Sequence, residues 1–302
     1  MMSKRSQSDK PKVRDAVSAI AKEERCGTPD ALIAFGLRAV LAAMSRVPAC
    51  QEQLVVKGGT ALRLATGQPI GRVSTDLDLS LLEAGSSFDP ENLTGEVTRE
   101  IAVIIDEFYA DSASVTIRLE SDRTSPPYPQ LPKIIVFRLD ASADLGGRNP
   151  TRTNNKQFLI EIAVDEYVDR ELLTILEVVT YGFPIRFQMY APVQAIAEKL
   201  RALLQKLQHF ERTGNEASFQ PRHVLDLEFL FARLAETDLG KLKSLFDAKC
   251  LARLVPETER TRERLLHPRL KSKVEEEAKR IGRSVASWQR LEELAAIVCP
   301  EK

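Results

Sequence analysis

Two aspartates two residues apart, Asp76 and Asp78, sit in the run Asp76-Leu77-Asp78-Leu79-Ser80-Leu81, which alternates strictly. Read as a strand, it puts Asp76, Asp78 and Ser80 on one face and Leu77, Leu79 and Leu81 on the other. Two carboxylates side by side above an apolar floor repel unless a cation lies between them. A hard oxygen pair of this kind suits Mg²⁺, which takes one or two protein carboxylates and fills its shell with water and nucleotide phosphates. Upstream, Leu54-Val55-Val56 fits a short buried strand that breaks at Gly58-Gly59 into a helical pattern beginning at Thr60. Glycines there let backbone approach a ligand, and the first helical N–H groups and the Thr60 hydroxyl suit a phosphate. A phosphate turn followed by paired aspartates is the minimal set for phosphoryl or nucleotidyl transfer. Either feature alone is ordinarily a solvated edge or a plain turn; the order and spacing of the two together carry the chemistry.

The elements that must position these residues follow from the pattern around them. The helix from Thr60 runs through Ala61-Leu62-Arg63-Leu64 and stops near Gly67, and a polar loop leads to the aspartate strand. A third acid lies in Phe158-Leu159-Ile160-Glu161-Ile162-Ala163-Val164-Asp165, where alternation turns Glu161 away from Ile160 and Ile162. An acid in so apolar a strand is costly unless paired. A metal shared with Asp76 and Asp78 is one such partner, with Asp165 in reserve; an exposed edge or a local lysine such as Lys156 is the other explanation.

Lys57-Gly58-Gly59-Thr60-Ala61-Leu62 followed by Arg72-x-Ser74-x-Asp76-Leu77-Asp78-Leu79 resembles the first motif of the AbiEii/AbiGii toxin family, nucleotidyltransferases of the DNA polymerase β superfold from type IV toxin-antitoxin and abortive-infection systems. The resemblance implies a triphosphate site at Lys57, Gly58, Gly59 and Thr60, with Arg72 and Ser74 as loop support, and metal ligation by Asp76, Asp78 and the third carboxylate, Glu161. Ala197-Glu198-Lys199-Leu200-x-Ala202-Leu203 is similar to the family helix that supplies an active-site lysine, here Lys199. Arg222-His223-Val224-Leu225-Asp226-Leu227 resembles a third motif whose second aspartate, here Asp226, is an active-site residue; His223 stands where the family has an acid, and Leu225 where it has an aromatic. Arg222 and Asp226 are four apart, so a plain helix salt bridge is the structural alternative. Glu198 and Arg201 read as salt-bridged surface residues.

The family implies transfer of an NMP from an NTP to an RNA acceptor, the tRNA 3′ end, with loss of pyrophosphate and a block of translation, and a cognate antitoxin as partner. Two other readings share the site: AMP transfer to a protein hydroxyl, and a silent module that only binds nucleotide or antitoxin.

Composition narrows the rest. Lys+Arg and Asp+Glu both number 43, so net charge gives no argument for nucleic acid and any basic surface is local. Four scattered cysteines and three histidines lack metal-ligand spacing and point away from zinc and structural disulfides. No apolar run suffices to span a membrane, and the N-terminus lacks an apolar segment after its positive charges, so the cytoplasm is the expected compartment.

Along the chain, residues 1 to about 12 read as a disordered tail and Val13–Lys22 as a helix. Thr28-Pro29-Asp30 reads as an N-cap opening a helix to about Ser45 that packs on the catalytic sheet. Asp89-Pro90-Glu91 opens an amphipathic helix to Phe108, and strands are expected at Ser114–Leu119, Lys133–Leu139 and Gln157–Val164. Loops fall at Ser125–Pro129 and Gly146–Pro150. From Ala191-Pro192 the chain is helical, ending in a helix over Ser287–Val298. The charge-rich stretch Thr258–Arg283 reads as a solvated face laced with ion pairs, the alternative being a groove for an RNA backbone. The expected architecture is α+β: N-terminal tail and helices over 1–52, a polymerase β-like nucleotidyltransferase domain over 53–190, and a helical domain over 191–302.

Overall fold

The computed structural model describes residues 10–67, 76–83, 88–123, 133–147, 150–152, 158–282 and 286–300. Arg72, Ser74, Lys156, most of the expected tail, the Ser125–Pro129 loop and part of the Gly146–Pro150 loop lie outside them. The chain divides into two compact units, one of residues 1–164 with 174–189 and one of residues 165–173 with 190–302.

The first unit opens with three helices, α1 (Val13–Glu24), α2 (Thr28–Met44) and α3 (Pro48–Gln53). Every residue of α2 from Ala31 to Met44 is buried, which is why its sequence is apolar on all sides. It starts one residue earlier than the sequence suggested: Gly27, without a side-chain cap, is the N-cap, and Thr28 and Pro29 are inside the first turn. Then come β1 (Leu54–Lys57), α4 (Gly58–Thr66), β2 (Asp76–Leu81) and α5 (Pro90–Phe108). α5 is capped as its sequence indicates, Asp89 Oδ1 accepting from the backbone N–H of Glu91 at 3.0 Å and of Asn92 at 3.1 Å.

Six more strands complete the sheet: β3 (Ala113–Arg123), β4 (Ile134–Ala143), β5 (Thr151–Arg152), β6 (Phe158–Ala163), β7 (Leu173–Thr180) and β8 (Phe183–Tyr190). Their order is β3-β4-β6-β2-β1-β8-β7, with β5 paired to β4. β2 runs antiparallel to β1, the strand before it in the chain, and parallel to β6, which is distant from it in the chain. Its leucines, with Phe158, Ile160 and Ile162 of β6, face one core shared with α1, α2 and α5. β7 and β8 were not marked as strands by the sequence pattern.

The second unit is built on α6 (Pro192–Thr213), α7 (Pro221–Phe231), α8 (Glu236–Ala252), α9 (Arg262–Leu265), α10 (Pro268–Arg280) and α11 (Ala286–Val298). The stretch Asp165–Leu173 is fastened to it by buried charge. Lys249, fully buried on α8, donates to Glu166 Oε1 at 3.1 Å and to the Tyr167 carbonyl at 2.9 Å, and lies 4.4 Å from the centre of the Tyr190 ring. Gln194 of α6 accepts from the Asp169 N–H at 2.7 Å. Arg253 pairs with Asp165, the carboxylate held in reserve as a metal ligand. On α10 Arg280 pairs with Glu277 and Lys273 with Glu216 and Glu276, contacts of the kind expected of a solvated face. No single described helix is long and apolar enough to cross a membrane.

Candidate active site

The acidic face is assembled by strand register. Asp78 of β2 stands opposite Glu161 of β6 in the parallel pair and opposite Lys57 of β1 in the antiparallel one. Leu77 and Leu79 are fully buried while Asp76, Asp78 and Glu161 are each half-buried, so the three carboxylates occupy the sheet face away from the helical core. Neighbouring positions in a parallel pair lie about 4.8 Å apart across the strands, within the reach of two carboxylates sharing one cation. The donor set, three carboxylates on adjacent strands, fits a hard divalent ion in type and register. Among the described residues no three acidic, histidine or cysteine side chains are already gathered as a ligand group.

The glycine turn presses directly on this face. Gly58 has φ +74°, and a Cβ placed on it would come within 2.0 Å of Asp78 Oδ2 and 2.8 Å of Asp78 Cγ. Only glycine permits both the backbone twist and the approach. The turn is tighter than the sequence indicated, since α4 begins at Gly58 itself, with Lys57 as N-cap and no side-chain cap. Gly58, Gly59 and Thr60 therefore form its first turn, whose N–H groups have no partner within the helix. Thr60 does not aim its hydroxyl proton at a ligand. It is nine-tenths buried and donates to the Asp76 carbonyl at 2.7 Å, tying the helix to the strand that carries the aspartates. At the far end Gly67, at φ +62°, closes α4 where the sequence placed its stop.

The other two sequence-derived residues, Lys199 of α6 and Asp226 of α7, belong to the second unit, where they find each other. Lys199 Nζ donates to Asp226 Oδ2 at 2.7 Å, and both side chains are more than nine-tenths buried. Arg222 does not make the expected helix salt bridge with Asp226; its Nε donates to Gln220 Oε1 at 3.2 Å. Asp226 lies on the buried face of α7 that packs on α6, and so meets a lysine from the facing helix instead of a neighbour along its own. Glu198 and Arg201 pair with each other, but Arg201 is buried, contrary to the surface placement expected of it. His223 is held neutral: burial, then the nearby Lys199, Arg222, Lys206 and Arg201 charges, push its pKa well below the ordinary value, and Nδ1 has no hydrogen-bond partner.

Sequence reasoning missed a buried ion cluster behind the glycine turn, in which Glu24 of α1 meets Arg38 of α2 and Arg63 of α4. An arginine inside each of two otherwise apolar helices was the available signal.

Residues 40–296 match the profile of the family described as "Nucleotidyl transferase AbiEii toxin, Type IV TA system". The chain belongs to this family of nucleotidyltransferase toxins, whose members act on a nucleotide substrate and are paired with an antitoxin. The fold is similar to that of MenT4, a nucleotidyltransferase toxin of Mycobacterium tuberculosis H37Rv, at a TM-score of 0.56 and 19% identity over 95% of this chain and 90% of that one. Two further solved structures match at lower TM-scores. They are an antigenic nucleotidyltransferase-like protein from Paracoccidioides brasiliensis, 0.36 at 13% identity over 85% of this chain and 93% of that one, and the antibiotic-resistance factor ANT(2'')-Ia, 0.35 at 14% over 72% and 93%. No curated protein matches the chain.

Proposed function

We propose that this protein transfers an NMP from an NTP to an RNA acceptor, the 3′ end of tRNA, releasing pyrophosphate and stopping translation. The observation that carries the reading is the contact of Gly58 with Asp78, which sets a phosphate-type turn against a carboxylate that faces Glu161 across the sheet. Membership of a toxin family and the motif resemblance support RNA as the acceptor.

The N–H groups of Gly58, Gly59 and Thr60 take the β- and γ-phosphates at the positive end of α4. Lys57 flanks the turn, and Arg72 and Ser74 serve as loop support. When bound, Mg²⁺ held by Asp76, Asp78 and Glu161 neutralises phosphate charge and aligns the reacting oxygens. Glu161 accepts the proton of the acceptor hydroxyl as its oxygen attacks the α-phosphorus. A new P–O bond forms to that oxygen, the bond to the bridging oxygen breaks, and its electron pair leaves with pyrophosphate. By the motif resemblance, Lys199, which is ion-paired with Asp226, offsets the charge on the departing phosphates.

The test is incubation with Mg²⁺, each α-labelled NTP in turn, and total RNA together with protein extract, alongside Asp76→Ala. Label in tRNA from one NTP, absent with the variant, is the expected result. Label in a protein band would replace the RNA acceptor by a protein hydroxyl. NTP binding with no label anywhere would reduce the protein to a binding module.

A further inference from the structure

Three charged side chains from three helices meet behind the glycine turn, all of them buried. Glu24, the last residue of α1, places Oε1 2.7 Å from Arg38 Nη2 and Oε2 2.8 Å from Arg63 Nη2. The first contact is a formed hydrogen bond. The second is close but its N–H is not aimed along it, so the attraction there is chiefly Coulombic. Arg38 also donates to the Ala34 carbonyl at 2.8 Å and to Thr180 Oγ1 at 3.3 Å, and it lies over the Tyr181 ring.

Arg63 is the connection between this cluster and the phosphate turn. It sits one helical turn after Thr60 in a helix of only nine residues. A small void lined by Leu37, Arg38, Thr60, Arg63 and Leu64 lies between this side of α4 and α2. Burial lowers the Arg63 pKa, with Glu24 acting against that shift, as expected of a guanidinium that needs the carboxylate to remain there.

We propose that Glu24 is a positioning residue for the phosphate-binding turn: through Arg63 it holds the first turn of α4, and with it Gly58 and Thr60, in place against β2. This rests on the reading of that turn as the NTP site. Preorganised donors bind phosphate without a further ordering cost, so slackening α4 weakens nucleotide binding although no group that touches nucleotide is removed.

The cluster supplies its own control, because either arginine can be removed while Glu24 keeps the other. Arg63→Met and Arg38→Met both leave a neutral pair, but only the first releases α4. The two are compared by amide hydrogen exchange over residues 58–64 without nucleotide and by the Kd of a non-hydrolysable NTP analogue. Arg63→Met is expected to exchange about tenfold faster at the turn and to bind the analogue about tenfold more weakly, with Arg38→Met near wild type on both despite any loss in Tm. Equal behaviour of the two variants, or an unchanged turn in Arg63→Met, overturns the proposal. If Arg63→Met does not fold, Arg63→Lys against Arg38→Lys makes the same comparison with charge kept. A wild-type protein that binds no NTP analogue would overturn the nucleotidyltransferase reading instead, and the exchange measurement would still decide the tether.

Discussion

Lys199 and Asp226 form a buried ion pair, Nζ to Oδ2 2.7 Å, between the facing helices α6 and α7. Such a pair couples chemistry to folding. Removing one partner strands a charge in the interior and costs about 3–5 kcal/mol, whereas replacing both with apolar residues of similar volume is near neutral. Lys199→Ala is therefore expected to lower stability as well as activity. Urea melts of Lys199→Met, Asp226→Leu and the double variant check this. The double variant should recover most of the stability and none of the transfer.

Gly58→Ala places a methyl where Asp78 Oδ2 now lies, at a residue with φ +74°. The carboxylate or the turn must move, and a displacement of about 1 Å at a reacting centre costs on the order of 100-fold in rate. Gly67→Ala is the matched control. Its φ is +62° but nothing lies within 4 Å of the added carbon, so it carries only the backbone penalty of about 1 kcal/mol with transfer retained. Similar loss of transfer in both would show that helix stability, not the approach to Asp78, is what matters.

Asp76→Asn, Asp78→Asn and Glu161→Gln each remove one charge from a half-buried acidic face. Stability should hold within about 0.5 kcal/mol or rise slightly as repulsion is relieved, while transfer falls by at least about 100-fold. Chelation of divalent ions should abolish transfer in the wild type and be reversed by Mg²⁺. A melt that drops by many degrees with each substitution would count against a purely chemical role.

His223 makes stability depend on acid. Its pKa in the folded protein lies well below the ordinary value, near 6.5 in an unfolded chain. As pH falls through about 6.5 the unfolded chain takes up a proton that the folded chain refuses, so stability declines toward acid, by at most about 1.4 kcal/mol per pH unit. His223→Gln should flatten the stability profile between about pH 6.5 and 5, read from denaturant midpoints. An unchanged slope would mean that the imidazole is free to protonate in the folded protein.

Local alternation made much of the candidate site legible. The period-two run of β2 assigned Asp76 and Asp78 to the face opposite the leucines, and the same rule oriented Glu161, because which side of a strand a residue occupies is a local property. Register is not local. Nothing in β2 or β6 separately says that Asp78 pairs with Glu161 rather than with a neighbour two residues away. β8 escaped notice although Phe183, Ile185 and Phe187 alternate with polar residues, since Pro184 speaks against a strand and is tolerated only because it lies at the strand's start. The buried ion clusters were illegible for a related reason. Glu24, Arg38 and Arg63 look like three unrelated solvated charges until the packing of α1, α2 and α4 brings them together, and Asp226 chose Lys199 over Arg222 only once α6 covered that face.

The parallel pairing of β2 with β6 also bears on when this chain can do harm. Asp78 and Glu161 are contributed by strands separated in the chain by α5, β3, β4 and β5, and no local hairpin can bring them side by side. A ribosome must have made the chain through β6 before the acidic face exists at all. Products that end before β6 therefore lack Glu161, and with it the paired carboxylate face.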